Sequence, residues 1–273
     1  MDDFLSFRSS RIHYCCWGAG PKLLFGFHGY GESAASFAFL GEALNPDFTL
    51  VAIDLPFHGQ TEWKEGLFLD PQQLSGFMRE IAARLPGRTR AWGLIGYSMG
   101  GRVALQLLEN NPEAIEKMVL LAPDGLKVNL WHWLATRTVL GNQLFRWTMR
   151  WPAWFFFLLR LSNVLRLVNP SVYKFAVHYI HDDAVRQDLY TRWTTMRGFR
   201  PHLSIIAESI RRRQLPVTLV YGRYDRIIRW ERAEKFRKRG VAATCRLILL
   251  DTGHQLLRPQ YLDVLLSLFP AQR

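Results

Sequence analysis

Residues Gly96–Gly100 read Gly-Tyr-Ser-Met-Gly, a G-x-S-x-G motif. The motif follows an apolar run of strand length, Ala91–Ile95, and opens a stretch with helical periodicity, Met99–Asn110. A sharp strand-to-helix turn of this kind presents a serine hydroxyl for reaction, and small residues flank the serine because strand and helix approach closely there. We therefore predict that Ser98 is a nucleophile. The alternative interpretation is a glycine-rich turn in which Ser98 caps the helix.

A serine hydroxyl is a weak nucleophile unless a base lies within hydrogen-bond reach and a carboxylate orients that base. Asp225 comes shortly after the apolar run Val217–Tyr221, and His254 comes shortly after the run Leu247–Leu250. If both runs are parallel strands, both side chains lie at the carboxyl edge of one sheet. We predict that His254 is the base and Asp225 the orienting acid.

Three other aspartates are rival acids. Asp124 follows a predicted strand that ends at Leu121, and we interpret it as the cap of the first helix of the segment that follows. Asp251 is expected to shape the turn before His254. Asp54 ends an earlier predicted strand and is expected to lie below the site.

Acyl transfer also needs preorganised N–H donors for the developing oxyanion. The amide after the nucleophile, that of Met99, is one candidate. The second is the amide of Tyr30, in the glycine-containing loop His28–Ser33 after the run Leu23–Phe27. We assign His28 a structural role in bracing this loop.

Apolar runs of strand length alternate with amphipathic stretches of helix length, which is typical of an α/β fold with a mostly parallel sheet and helices on both faces. The predicted strands are Leu23–Phe27, Leu50–Ile53, Ala91–Ile95, Lys117–Leu121, Val217–Tyr221 and Leu247–Leu250. The predicted helices are Ser33–Leu44, Pro71–Leu85, Met99–Asn110, Arg229–Arg239 and Pro259–Phe269. Residues 3–7 and 11–17 are predicted to form an antiparallel hairpin. The alternation stops after Leu121 and resumes at Leu215, so we predict a helical insertion between them.

Length and composition narrow the class of protein. The 273 residues are 49% hydrophobic and 21% charged, which excludes a disordered chain and a long coiled coil. The three cysteines cannot form a disulfide framework and lack zinc-finger spacing, so we predict a cytoplasmic protein with no metal and no cofactor. The first ten residues include two acids and no apolar run, and the apolar run Trp154–Leu159 is too short to span a bilayer. We predict neither a signal peptide nor a transmembrane helix.

Charge is distributed unevenly along the chain. The net charge is +12, yet the stretch from Gly125 to His181 contains seven lysines and arginines, no acidic residue, and five of the ten tryptophans. A basic chain of this kind could bind nucleic acid, a membrane surface or an anionic substrate. Nucleic acid is the weakest of the three, because no recognised binding module is present.

The motifs FGFHGYGES, VAIDLPFHGQT, LIGYSMGGRVAL, VYGRYD and DTGH together resemble the α/β-hydrolase superfamily, over about residues 3–122 and 215–270. The resemblance implies an eight-stranded sheet in a core formed by residues 1–122 and 215–273, with residues 123–214 as a helical lid. It also implies a Ser98–Asp225–His254 triad with Tyr30 and Met99 at the oxyanion. One departure is Phe57, which stands where the usual turn has glycine.

A superfamily fold does not fix the reaction. Serine at the elbow disfavours the chemistry of epoxide hydrolases and haloalkane dehalogenases, which use aspartate. We predict a serine hydrolase that cleaves carboxylic esters, in the manner of a carboxylesterase or lipase. The alternatives are thioester or carbon–carbon hydrolysis, perhydrolysis, a lyase like that of the menaquinone pathway, or a non-catalytic ligand-binding protein. In the lyase, Tyr97 and Arg102 would hold an anionic substrate, although we interpret Arg102 as an exposed residue of the elbow helix.

The lid suggests the kind of ester. Its aromatic residues, with Trp154 and Phe156 as named candidates, are predicted to line an acyl pocket for apolar medium-chain substrates. Tyr97, beside the nucleophile, is predicted to contact the substrate as well. The partner is then a small-molecule ester, with peripheral contact to a lipid membrane through the basic aromatic lid. The alternative is an ordinary cap that packs its apolar face and keeps its arginines in solvent.

Overall fold

A computed structural model describes residues 2–44, 46–85, 91–127, 130–165, 173 and 182–270. The described strands are β1 (Asp2–Phe7), β2 (Ser10–Trp17), β3 (Lys22–Phe27), β4 (Phe48–Ile53), β5 (Trp92–Tyr97), β6 (Ile115–Leu121), β7 (Val217–Gly222) and β8 (Cys245–Leu250). The described α-helices are α1 (Ala38–Ala43), α2 (Pro71–Ala83), α3 (Met99–Asn110), α4 (Leu130–Arg137), α5 (Val139–Arg150), α6 (Ala153–Val164), α7 (Asp183–Thr195), α8 (Leu203–Arg213), α9 (Glu231–Arg237) and α10 (Leu262–Ser267). All six predicted parallel strands are confirmed to within two residues at each end.

These strands form one sheet in the order β1-β2-β4-β3-β5-β6-β7-β8. The β1–β2 and β2–β4 pairs are antiparallel, and every other pair is parallel. The predicted N-terminal hairpin is therefore confirmed, and so is the mostly parallel eight-stranded sheet. Because β3, β5, β7 and β8 run in the same direction, the loops that follow them leave from the same edge.

The central strands β3 and β5 are almost entirely apolar because both faces of a parallel sheet are covered. Phe25 and Phe27 of β3 and Leu94 and Ile95 of β5 are fully buried. Helix α2 begins at the predicted residue for a local reason: the Asp70 side chain accepts a hydrogen bond from the Gln72 amide, and the Gln73 side chain accepts one from the Asp70 amide. This capping box satisfies amides that the first helical turn leaves open.

Two predicted helices begin as 3₁₀ turns. The stretch predicted as Ser33–Leu44 consists of a 3₁₀ turn, Ala34–Phe37, followed by α1. The stretch predicted as Pro259–Phe269 has the same arrangement, with a 3₁₀ turn over Pro259–Tyr261 before α10. Helical periodicity does not separate the two helix types, because the 3₁₀ period of three residues lies close to 3.6.

Contacts between Cα atoms divide the chain into two compact units. The sheet unit comprises residues 1–65, 69–127 and 198–273, and it carries all eight described strands. The helical unit comprises residues 66–68 and 128–197, and its described helices are α4 to α7. The contacts assign residues 123–127 and 198–214, which the sequence predicts as part of the lid, to the sheet unit, in which α8 contacts α3.

The helical unit is held together by its own polar and aromatic contacts. Asn142 of α5 donates a hydrogen bond to Thr194 and accepts one from the Tyr190 hydroxyl, both on α7. The Phe145 ring lies 5.8 Å from that of Trp193. Among the described helices of either unit, none is long and apolar enough to cross a membrane.

Candidate active site

Ser98 lies between β5 and α3 in a strained backbone conformation, with φ 51° and ψ −111°. A serine at positive φ costs on the order of 1–3 kcal/mol, which the surrounding structure must offset. The Ser98 amide donates to the Leu121 carbonyl (2.9 Å), and the Ser98 carbonyl accepts from the Gly101 and Asp124 amides (3.0 and 2.8 Å). These three main-chain hydrogen bonds hold the strained turn in place.

The glycines of the motif are explained by close backbone approach. A Cβ on Gly100 would lie 1.9 Å from the Phe27 carbonyl oxygen of β3. A Cβ on Gly96 would lie 2.5 Å from the Gly100 carbonyl oxygen. Real Cβ atoms do not come so close to a carbonyl, so only glycine lets α3 pack this tightly against the sheet.

The predicted acid and base are held together by the loops after β7 and β8. The amides of Arg223 and Tyr224 donate to the carbonyls of Leu250 and Thr252 (2.8 and 2.9 Å), which ties the two loops side by side. Gly222 permits this approach, since a Cβ there would lie 2.0 Å from the next loop's backbone. Two residues far apart in the chain are thereby brought to the same place.

Ser98, His254 and Asp225 form a continuous hydrogen-bonded relay. The Ser98 Oγ lies 3.0 Å from His254 Nε2, and His254 Nδ1 lies 2.7 Å from Asp225 Oδ2. Because an ionised carboxylate only accepts hydrogen bonds, Nδ1 carries the proton and Nε2 is left to accept from the serine hydroxyl. The geometry is that of a serine paired with a base within hydrogen-bond reach.

The environment of Asp225 favours its charged form. Burial alone would raise the pKa of this carboxyl, but hydrogen bonds from His254 and from the Ile228 and Ile227 amides outweigh it and hold the pKa below the usual range. The Ile227 and Ile228 amides (2.7 and 2.9 Å) both donate to Oδ1, which leaves Oδ2 for the imidazole. Asp225 therefore presents one fixed oxygen to His254.

The rival aspartates lie elsewhere. Asp54 is buried and accepts from the Ala34 and Gln60 amides and from His13, so it anchors the loops around β4. Asp251 is exposed and pairs with Arg223 at 2.8 Å. Neither side chain is hydrogen-bonded to His254 in the described structure.

Two expectations for the elbow helix are wrong. Asp124 does not cap a helix, because residues 124–127 form turns and bends and not a first helical turn; its Oδ1 accepts from the Gly125 amide. Arg102 is not exposed. Its side chain is buried, and its Nε lies 3.6 Å from Asp124 Oδ2. A buried arginine beside a carboxylate is already charge-compensated, which does not favour the lyase interpretation in which Arg102 binds an anionic substrate.

The candidate oxyanion residues occupy the expected elements. Met99 is the first residue of α3, where amides have no intrahelical acceptor, and Tyr30 lies in the loop after β3. His28 braces this loop as predicted: its Nδ1 donates to the Gly29 carbonyl (2.8 Å), and its Nε2 accepts from the Leu55 amide (3.1 Å). Phe57 has φ 63°, so it adopts the left-handed conformation for which glycine is the usual residue.

Tyr97 contacts His254, and its side chain does not lie on an open surface. Its side chain is buried, its hydroxyl donates to the His254 carbonyl at 3.3 Å, and its ring centroid lies 5.5 Å from the imidazole. Burial raises the pKa of this phenol, so it stays a hydrogen-bond donor. This position fits a residue that supports His254 better than the predicted substrate contact.

One acidic residue near His254, Glu32, is not among the residues predicted from the sequence. Burial raises its pKa, against a hydrogen bond with Gly29 and the charges of Arg258 and His254. Glu32 Oε1 lies 3.8 Å from the Arg258 guanidinium. Its place in the loop that also carries Tyr30 is the sequence feature that could have identified it. There a half-buried carboxylate adds negative charge near His254.

The residues predicted to line an acyl pocket, Trp154 and Phe156, lie in the helical unit, on α6. The Trp154 ring stacks on Trp147 with centroids 5.3 Å apart, and Phe155 meets the rings of both Trp154 and Phe156. Trp154 and Phe156 are each partly exposed. The cations Arg166 and Lys174 of the basic stretch lie outside the described residues.

Comparisons with known proteins identify the family of the chain. The family model described as serine aminopeptidase, S33, matches residues 21–259. The chain is 28% identical over 232 residues to a pimeloyl-[acyl-carrier protein] methyl ester esterase of Nitrosomonas europaea, covering 79% of this chain and 82% of the relative.

Solved structures resemble the chain in fold. A thioesterase domain from the curacin biosynthetic pathway has a TM-score of 0.65 and 19% identity, and the match covers 98% of both chains. A thermophilic esterase from Thermogutta terrifontis has a TM-score of 0.66 and 16% identity, covering 98% of this chain and 96% of that one.

Proposed function

The chain belongs to the serine aminopeptidase S33 family of α/β-hydrolases, and we propose that Ser98, His254 and Asp225 carry out ester hydrolysis as a catalytic triad. The ester bond is chosen because the Nitrosomonas relative is named as a methyl ester esterase. The observation that supports this most is the unbroken relay Ser98–His254–Asp225 on a strained strand-to-helix turn. Each member has a role that its contacts suit.

The reaction proceeds in two halves. Ser98 Oγ attacks the ester carbonyl carbon while His254 Nε2 accepts the serine proton, and the carbonyl oxygen becomes an oxyanion that the amides of Met99 and Tyr30 stabilise. The tetrahedral intermediate then expels the alcohol, which takes the proton from His254, and leaves an acyl-serine. Water attacks the acyl-serine with His254 again as base, releasing the acid and restoring the free serine.

The supporting residues act through the base. Asp225 fixes the imidazole tautomer and stabilises the imidazolium that forms during attack. Tyr97 positions the His254 loop through its hydroxyl.

The three cysteines are free and buried, which agrees with a reducing compartment such as the cytoplasm.

A fluorophosphonate probe tests the nucleophile directly. It should label Ser98, and Ser98→Ala should lower kcat by about 10⁶-fold if the three residues act as a unit. Labelling of another serine would refute the assignment. Circular dichroism of the same variant checks that activity is lost while the fold is kept.

The substrate class is an apolar medium-chain acyl ester, with Trp154 and Phe156 of α6 as contacts to the acyl chain. The support is the aromatic cluster on α6, together with the acyl ester named for the Nitrosomonas relative. A series of p-nitrophenyl esters from acetate to palmitate should show a maximum at medium length.

Matched substitutions on one helix separate a pocket from a packing role. Trp154→Ala or Phe156→Ala should shift the preferred chain length, whereas Phe157→Ala, whose side chain is exposed, should leave it unchanged. If all three variants keep the wild-type preference while the first two lose thermal stability, α6 packs the protein and does not bind the acyl chain.

A further inference from the structure

Helix α5 exposes an apolar stripe to solvent. Leu140, Leu144 and Trp147 follow one another at intervals of four and three residues, so they lie along one side of the helix, and Trp151 follows four residues later as the C-cap. Each is at least half exposed, and Leu140 reaches 80%. A helix of a soluble domain normally turns such a stripe toward a core.

Helix α6 carries a second exposed stripe. Phe157, Leu161 and Val164 recur at intervals of four and three residues, and Phe157 is 67% exposed. The stacking of Trp147 on Trp154 joins the end of α5 to the start of α6. These residues of α5 and α6, with the exposed Arg146, Arg150 and Arg160, are called the α5–α6 surface below.

The concentration of apolar surface here is unusual for the molecule. Of the fourteen large hydrophobic residues exposed in the described structure, ten lie between 139 and 165. Trp151 and Phe157 alone expose about 200–300 Å², since a large aromatic side chain presents about 150–250 Å². Contiguous patches above a few hundred Å² mark an interaction site.

Charge identifies the partner. The stretch from Gly125 to His181 contains no aspartate or glutamate, so the three arginines of the surface have no acidic neighbour in their own segment. A symmetric dimer through this surface would bring arginines toward arginines without a counter-charge. An anionic lipid surface supplies the counter-charge and also accepts apolar and tryptophan side chains below its headgroups.

We propose that the α5–α6 surface binds the headgroup region of an anionic lipid bilayer, with the apolar stripes inserted and the arginines at the phosphates. The binding is peripheral, since none of the described helices is long enough to cross a bilayer. The inference does not depend on the catalytic roles proposed above. It is therefore tested with a protein that cannot turn over.

The experiment measures co-sedimentation of Ser98→Ala with vesicles of phosphatidylcholine or of phosphatidylcholine with phosphatidylglycerol. We expect binding to the anionic vesicles that weakens from 0.1 M to 1 M salt, as the screening length falls from about 10 Å to about 3 Å. Adding Arg146→Gln, Arg150→Gln and Arg160→Gln should weaken it roughly a hundredfold, at about fivefold for each arginine near the surface.

A matched control carries the same change in net charge elsewhere. Lys235→Gln, Lys238→Gln and Arg239→Gln, at exposed positions in and just after α9, should bind like the parent. A second variant, Leu140→Gln with Phe157→Gln and Val164→Gln, should lose binding while its circular dichroism stays unchanged, because all three side chains are exposed.

Three results would overturn the proposal. The first is equal binding to neutral and anionic vesicles. The second is equal weakening by the surface and control arginine variants, which would indicate attraction by net charge alone. The third is a dimer in light scattering that the apolar variant dissociates while vesicle binding is absent, which would make a second copy the occupant.

Discussion

Substitution of Asp225 by asparagine is the sharpest test of the relay, because the structure dictates how the new amide must sit. Oδ1 of Asp225 accepts from the Ile227 and Ile228 amides, and Oδ2 accepts from His254 Nδ1. An asparagine keeps its single oxygen at the two amides, since turning its NH₂ toward them would oppose donor to donor. The NH₂ group then faces Nδ1.

The amide in this position reverses the tautomer of the imidazole. It donates to Nδ1, so the proton moves to Nε2, and Nε2 loses the lone pair that accepts from Ser98 Oγ at 3.0 Å. In a Ser-His-Asp triad this exchange lowers kcat about 10⁴-fold, which corresponds to about 5.5 kcal/mol of transition-state stabilisation. We expect a loss of that size for Asp225→Asn, with the geometry of the site preserved.

The assay is kcat/KM on a p-nitrophenyl ester, with Asp124→Asn as the control. Asp124 lies at the end of the neighbouring strand, but its side chain contacts the Gly125 amide and Arg102 and does not contact His254. Asp124→Asn should therefore stay within about tenfold of wild type and lose some stability through Arg102. If Asp124→Asn is the more damaged enzyme, the acid of the relay has been misassigned.

Three further outcomes can be measured. Gly100→Ala should lower the free energy of unfolding in urea by about 1–3 kcal/mol, because the new Cβ meets a backbone carbonyl. Gly253→Ala, with open space at its Cβ, should change it by less than about 0.5 kcal/mol, and equal losses would contradict this reasoning. Glu32→Gln removes a charge that stabilises the His254 imidazolium, so the acid limb of the pH–rate profile should move to lower pH; a move upward would show the opposite coupling. Gln214→Gly removes the backbone strain of an exposed residue at φ 51°. It should raise the free energy of unfolding by about 0.5–1 kcal/mol, whereas the same change at a residue with negative φ should not.

The parallel strands and the relay could be predicted because their signals are local. A strand buried on both faces is apolar almost throughout, and β3, β5 and β7 all have this composition. Ser98 follows β5 directly, and Asp225 and His254 lie in the loops just after β7 and β8, so their common edge follows from strand direction. Phe57 departs from the glycine that is usual in this turn, and its φ of 63° shows that a bulky residue adopts the conformation usual for glycine.

Other parts could not be predicted because they depend on contacts across the fold. The burial of Arg102 depends on its approach to Asp124 and on α8 packing beside α3, neither of which periodicity reveals. The proximity of Glu32 to the base depends on how the loop after β3 meets the loop after β8. The unit to which α8 belongs could not be predicted for the same reason, since α8 has ordinary helical periodicity whichever unit it joins.

Asp124 shows where side-chain reasoning reaches its limit. Its position after a strand suggested an acid or a helix cap, and both hypotheses concern the carboxylate. In the structure its main-chain amide stabilises the strained elbow by donating to the Ser98 carbonyl. Any residue except proline offers that amide, so the identity of the side chain carries no information about this contribution. Backbone groups of β6 and of the loop after it thus help to offset the strain at Ser98, which is why the motif points to Ser98 as the candidate nucleophile but does not reveal the elements that support it.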